Sequence, residues 1–275
     1  MKDLDLIVDG VPVSESLPGV SLLSFTPDAP VFERKTSTLP YRNGVIMPQK
    51  GNRGRYTERK ISIELALDAA NSQQFYAYRH DIYNLFVKED PYYVTCTYEP
   101  HKRWLVTCDD GFSAPQNSHQ TWNTISLSLT AIQGLAESIY DSLTSFDLSG
   151  EHYGIGMNIG LYNDPQYHFI NKSKFTVYNV GDAKISPIDH NYNVQMYLAG
   201  TDITIENSTT GEKIKFSGTL KKEDLLTLVK QYVVKDSSVV STTGRFPSLA
   251  PGKNEFHIYN ATYSDIQFIT HFYYK

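Results

Sequence analysis

A mostly β chain with one helix, built as an N-terminal α+β domain and a C-terminal antiparallel β-sandwich, is the fold class this sequence predicts. Three observations predict it. Between residues 56 and 131, two long runs alternate apolar and polar side chains, separated by one stretch of helical spacing and a hairpin. Beyond residue 165 the chain consists of short alternating runs punctuated by turn residues. Between 133 and 165 glycines gather and both patterns lapse. We therefore expect domains at 1–145 and 146–275, in keeping with typical domains of about 100–200 residues.

The first domain opens with two short strand-like runs, Leu6–Val8 and Val20–Phe25, broken by Asp9-Gly10 and Pro18-Gly19. Glycine accepts positive φ and proline fixes its own, so both breaks are turns. Residues 27–60 are rich in Pro, Gly, Arg and Lys, and include Pro40-Tyr41-Arg42-Asn43-Gly44. They read as a long connection with room for one short strand; connections of this length are usually functional or shared with a neighbour. Next, Ile61, Ile63, Leu65 and Leu67 interleave with Lys60, Ser62, Glu64 and Ala66, the period of two of a half-buried strand. From Asn71 the spacing turns helical. Phe75, Tyr78, Ile82 and Leu85 share one face, with Tyr76, Tyr83 and Phe86 widening it. Asn71 suits the N-cap and Gln74 its capping-box partner, while Asp90-Pro91 stops the helix. Strands Tyr92–Tyr98 and Arg103–Cys108 follow, joined across Glu99–Lys102. If Tyr98 faces Arg103, then Cys108 lies three residues beyond the partner of Cys96. At about 3.3 Å per residue that is outside disulfide reach, and two buried free thiols are expected. Asp109-Asp110-Gly111 makes a turn. Ile125, Leu127 and Leu129 then alternate with Thr and Ser in a last long strand.

Ala136–Leu143 suits one or two helical turns before the glycine-rich boundary. Gly154, Gly156 and Gly160 imitate a dinucleotide loop, but the third glycine is one residue late and no strand–helix context surrounds it, so no cofactor is expected. Strand candidates in the second domain are His168–Ile170, Phe175–Tyr178, Asn193–Leu198, Asp202–Glu206, Lys213–Ser217, Leu225–Val234, Glu255–Tyr259 and Ile266–Tyr274. Residues 207–211 join two alternating runs as a hairpin, and Pro251-Gly252 suits a type II turn. Glu223–Lys235 also fits a helix; its Val and Tyr content favours strand.

Composition excludes several functions. No apolar run approaches the roughly 18 residues that span a bilayer, so no membrane partner is expected. The first residues lack the basic and apolar regions of a signal peptide. Net charge is −5. Residues 1–150 carry 13 Lys/Arg against 18 Asp/Glu, and 151–275 carry 12 of each. A mildly acidic chain is a poor binder of nucleic acid, and no sequence-specific contact with it is expected. The eight histidines occupy no recognised catalytic frame. Without a C-x-x-C or a spaced His pair, no metal site is expected. We expect no enzyme. One basic cluster stands out: Lys50, Arg53, Arg55, Arg59 and Lys60 crowd around Gly51-Asn52 and Gly54. Its plain reading is a solvated loop. Its sharper one is a contact loop for an acidic surface.

Pro40–Gly44, Arg59–Leu67, the helix with Phe75 and Ile82, the strand Asn123–Thr130, Thr209-Thr210-Gly211 and Phe246–Phe256, in that order and spacing, resemble the distal tail protein (Dit) family of siphophages infecting Gram-positive bacteria. The resemblance covers nearly the whole chain. It implies a structural protein of the virion tail tip, assembled in the bacterial host cytoplasm. The first domain would form a homohexameric ring and the second a galectin-like sandwich on its outside. The ring's partners would be the major tail tube protein and a tail-associated fibre or lysin protein, with a channel for DNA. Some members grip receptor-binding proteins through a long arm inserted in the sandwich. This second domain lacks room for one, which argues against attachment by an arm and leaves receptor-binding proteins as an open member of the set. On this reading Lys50, Arg53, Arg55, Tyr56, Arg59 and Lys60 form a ring or tube contact loop. The rival is a monomeric carbohydrate-binding, lectin-like module for cell-surface glycans. Such sites usually stack a sugar on Trp, yet Trp104 and Trp122 both lie in the first domain; tyrosines would have to substitute.

Overall fold

The computed structural model describes residues 4–47, 54–117, 119–146, 150–160 and 165–275. The chain packs as two compact units, Met1–Glu137 with Lys275, and Ser138–Tyr274.

The first unit contains β1 (Leu6–Val8), β2 (Val11–Pro12), the single turn α1 (Val13–Ser16), β3 (Val20–Pro27), β4 (Phe32–Arg34), β5 (Gly54–Tyr56), β6 (Arg59–Asp68), α2 (Ser72–Phe86), β7 (Tyr92–Cys96), β8 (Lys102–Thr107) and β9 (Trp122–Ala131), and β10 (Ala136–Ser138) runs to its border. The main sheet has the order β2-β1-β7-β8-β9-β6-β3. Its spine is β6 against β9, antiparallel from Arg59–Ala131 to Asp68–Trp122. The alternation fixes the register: Ile61, Ile63, Leu65, Leu67, Ile125, Leu127 and Leu129 are all buried. A slip of one residue would turn these seven to solvent, at about 1.5–3 kcal/mol each.

The helix begins where its cap dictates. Asn71 Oδ1 accepts from Gln74 N at 2.9 Å, while Gln74 Oε1 reaches past Asn71 to accept from Ala70 N at 2.7 Å. Phe75, Ile82 and Phe86 are its buried residues; Tyr78, Tyr83 and Leu85 flank them half-exposed. The helix stops at Phe86, short of Asp90-Pro91. Tyr92 Oη donates to the Phe86 carbonyl at 2.8 Å, and Asp9 takes both Lys88 Nζ (2.6 Å) and Tyr93 N (3.0 Å). The chain must unwind there to bring Val94 opposite Val8.

The hairpin register differs from expectation. Val94 faces Trp104, and Thr97 leaves the ladder because its N–H is held by the Asp5 carbonyl at 3.0 Å. Cys96 and Cys108 are both free; Cys96 is buried, whereas Cys108 is half-exposed beyond the end of β8. Ala136 likewise enters a strand, where a helical turn was expected.

The second unit contains β11 (His168–Ile170), β12 (Lys174–Asn179), β13 (Tyr192–Asn207), β14 (Glu212–Phe216), β15 (Thr219–Leu220), β16 (Leu225–Val229), β17 (Tyr232–Lys235), β18 (Ser238–Val239), β19 (Thr242–Gly244), β20 (Gly252–Thr270) and β21 (Tyr273–Tyr274). Two long strands build it. The first half of β20 lies between β12 and the end of β13, and its second half between β11 and the start of β13. Their ladder breaks at Ala199–Thr204. There Gly200 has φ +144°, and a Cβ on it would meet the Asn260 carbonyl oxygen at 2.2 Å. At this bend the two halves fold over one another. Phe268 and Phe256, from opposite halves of β20, meet edge-on at 5.2 Å, and Phe268 also touches Phe175, Phe169, Phe246 and Tyr192 within 6.4 Å. That aromatic cluster is the sandwich core. Residues 225–235 are a hairpin, not a helix, with Val229 opposite Tyr232.

Candidate interaction surface

The long connection after β3 builds a surface instead of hiding one. β4 and β5 form a separate two-stranded ribbon pairing Phe32 with Tyr56, Glu33 with Arg55 and Arg34 with Gly54. The ribbon requires Gly54: its φ is +142°, and a Cβ would sit 1.9 Å from the Glu33 carbonyl oxygen. Phe32 and Tyr56 meet edge-on at 5.0 Å, and the Arg34 guanidinium lies 5.8 Å above Phe32. Arg55 Nε donates to Glu33 Oε2 at 3.1 Å in an exposed pair that contributes little to stability.

Nearby, Ser37 and Ile46 exchange both backbone hydrogen bonds, at 3.0 and 2.8 Å. Around that bridge Val31, Leu39, Tyr41, Val45 and Met47 are all exposed, and Tyr41 stands fully in solvent at φ +64°. Large apolar side chains on one short exposed stretch make it a candidate interaction surface. At the margin of the main sheet, β3 pairs only with β6 among the described residues, leaving its outer edge open beside exposed Leu23. An open edge is a template for another chain.

The expected basic loop is dispersed. Lys50 and Arg53 lie outside the described residues. Arg55 and Tyr56 sit on the ribbon. Arg59 is in β6 and only 8% exposed, with its guanidinium 4.5 Å from the Trp104 ring and neither Nε nor Nη1 meeting an acceptor among the described residues. Burial pulls its pKa below the usual arginine value, against the opposing pull of Glu99 and Asp28. Lys60 turns to the other face, where Nζ reaches Asp110 Oδ2 (2.6 Å) and Thr130 Oγ1 (3.1 Å). Parity foretells this division, since Arg59 has the phase of Ile61 and Ile63. The exposed apolar residues were the missed signal: Leu39, Val45 and Met47 occur in a stretch too rich in turn residues to bury them.

Reactive groups are scattered. Burial raises the pKa of the Cys96 thiol, and burial with Asp109 and Asp110 raises that of Cys108, so neither is a ready thiolate. His168 pairs with Asp265 at 2.7 Å, and His271 with the Ser138 carbonyl at 2.8 Å, on separate segments. Among the described residues no three potential metal ligands converge.

Comparison with known proteins places this architecture. Residues 15–131 match the family of the phage tail protein RIFT-related domain. No curated protein matches the sequence. Among solved structures, the chain is similar to SPP1 Dit (gp 19.1), described as a paradigm of the hub adsorption apparatus in phages infecting Gram-positive bacteria. That likeness has a TM-score of 0.64 and 10% identity over 98% of this chain and 100% of that one. Chains of the phage p2 baseplate in its activated conformation, with Sr and with Ca, align at a TM-score of 0.42 and 9% identity, covering 98% of both. The match to that phage tail domain family falls within the first unit. The whole chain has the fold of a siphophage distal tail protein.

Proposed function

We propose that this chain is a structural hub of a phage tail tip, with a ring-forming first domain (1–145) and a second domain (146–275) carried on the rim. Six copies close a ring between the tail tube protein and a tail-associated fibre or lysin protein, and DNA passes through its centre. Assembly takes place in the host cytoplasm, and the protein acts in the virion without an enzymatic step. The observation that carries the reading is the exposed apolar surface of residues 31–47 beside the Phe32–Tyr56 ribbon. A ring needs a head-to-tail interface whose two faces differ, and this surface with the open β3 edge offers two such faces. Arg55 and Tyr56, on the ribbon, would touch a neighbouring copy or the tube.

Co-expression with the neighbouring tail proteins, followed by negative-stain imaging, tests this. Six-fold rings are expected for the wild-type chain, and their loss for Tyr41→Asp combined with Leu39→Asp. A wild-type chain that stays monomeric beside its tail partners and is retained by cell-wall glycan would establish the lectin reading instead.

A further inference from the structure

In the second unit, four segments line one cleft beside a largely buried carboxylate. β14 begins at Glu212 and pairs with β19, so that Arg245 N donates to the Lys213 carbonyl at 3.1 Å and its side chain lies beside Glu212. The isolated bridge Ile185–Leu249 lays Lys184 and Ser186 along Ser248. The turn of the β16–β17 hairpin adds Lys230 and Gln231. Together with Pro187 and Ile188 they line a small open cleft of about 50 Å³.

The Glu212 side chain is only 10% exposed and its acceptors are committed. Oε1 takes Lys184 Nζ (3.0 Å) and Arg245 Nη2 (2.9 Å); Oε2 takes Ser248 N (2.7 Å) and Ser248 Oγ. Three cations thus line a cleft holding one carboxylate. Lys184 and Arg245 each spend one N–H on it, out of three and five respectively. Both remain open to solvent, at 44% and 67% side-chain exposure. Lys230 makes no hydrogen bond or ion pair among the described residues, and its backbone is held at φ +54°, uncommon for a lysine.

We propose that this cleft binds a small oxyanion, phosphate or carboxylate, carried on a polyhydroxylated body such as a sugar or polyol. Glu212 does not compete for the ligand. It holds the Lys184 ammonium and the Arg245 fork in place, and that planar fork with its unused donors suits an oxyanion. Gln231 and Ser186 offer hydrogen bonds to hydroxyls, and Pro187 with Ile188 gives a short apolar wall.

Calorimetric titration of the full chain at low salt with glucose 6-phosphate, glycerol 3-phosphate, glucuronate, inorganic phosphate and glucose tests this. The two organic phosphates or glucuronate should bind, with added salt weakening them and glucose inert; the ranking tells phosphate from carboxylate. Lys230→Gln and Arg245→Gln should each weaken binding about tenfold. Lys230→Gln lies in an exposed turn and should leave the melting temperature unchanged. The assignment is overturned if no organic anion binds, if glucose binds as well as they do, or if both variants bind like wild type. Inorganic phosphate binding as tightly as glucose 6-phosphate would overturn the sugar or polyol body.

Discussion

Three buried asparagines explain why the segment Phe246–Phe256 has so particular a sequence. Asn207 Nδ2 donates to the Ser248 carbonyl (2.8 Å) and to Asn254 Oδ1 (3.1 Å). Asn254 closes the Pro251-Gly252 turn through the Ala250 and Gly252 carbonyls, and Asn179 holds the Leu249 carbonyl at 3.2 Å. All three are almost wholly buried, so each replaces a sheet partner that the irregular segment lacks. Ser248, positioned this way, can hold Glu212. Burial alone would raise the Glu212 carboxyl pKa, but hydrogen bonds from Ser248 and the charge of Lys184 outweigh it and hold it below the usual glutamate value. A carboxyl with a depressed folded pKa stabilises the fold above its unfolded pKa, and loses that contribution as pH falls through the folded value. Urea melts should therefore show wild type losing its advantage over Glu212→Gln as pH drops below about 4.3. An advantage that stays constant from pH 7 to pH 3 would mean the carboxylate charge adds nothing.

Elements were legible wherever one face meets a core. The strands β6 and β9 and the helix α2 follow directly from periods of two and of 3.6, because burial enforces both periods. The cap of α2 was legible too, and Asn71→Ala should lower stability by about 1 kcal/mol in denaturant titration. A loss below about 0.2 kcal/mol would show that tertiary packing alone sets the helix start. Illegible features are those set from a distance. β13 and β20 look like two strands apiece because Gly200, Asp202 and Asn260 interrupt the alternation, and that interruption is the bend the sandwich needs. Nothing local places Thr97 against Asp5, so the hairpin register could not be read from its turn. In the candidate surface, positive charge drew attention to 50–60, although parity already assigned Arg59 to the core side. The apolar side chains that do reach solvent lie ten to twenty residues earlier.

At the scale of the whole molecule, charge is the property least tied to the fold and most tied to the proposed conduit. The entire formal excess of −5 belongs to residues 1–150, whereas 151–275 are balanced. A protein that neutralises phosphates releases counterions, so any electrostatic affinity for DNA is greatest at low salt. A lining that lets DNA pass must fail to hold it even there. Mobility-shift assays of the assembled chain with double-stranded DNA at about 50 mM salt should therefore show no complex at micromolar protein, where non-specific binders still bind. Retardation that fades as salt rises would place unpaired Lys and Arg along the DNA path. The ring could survive that result, but the argument that its acidic half keeps the channel clear could not.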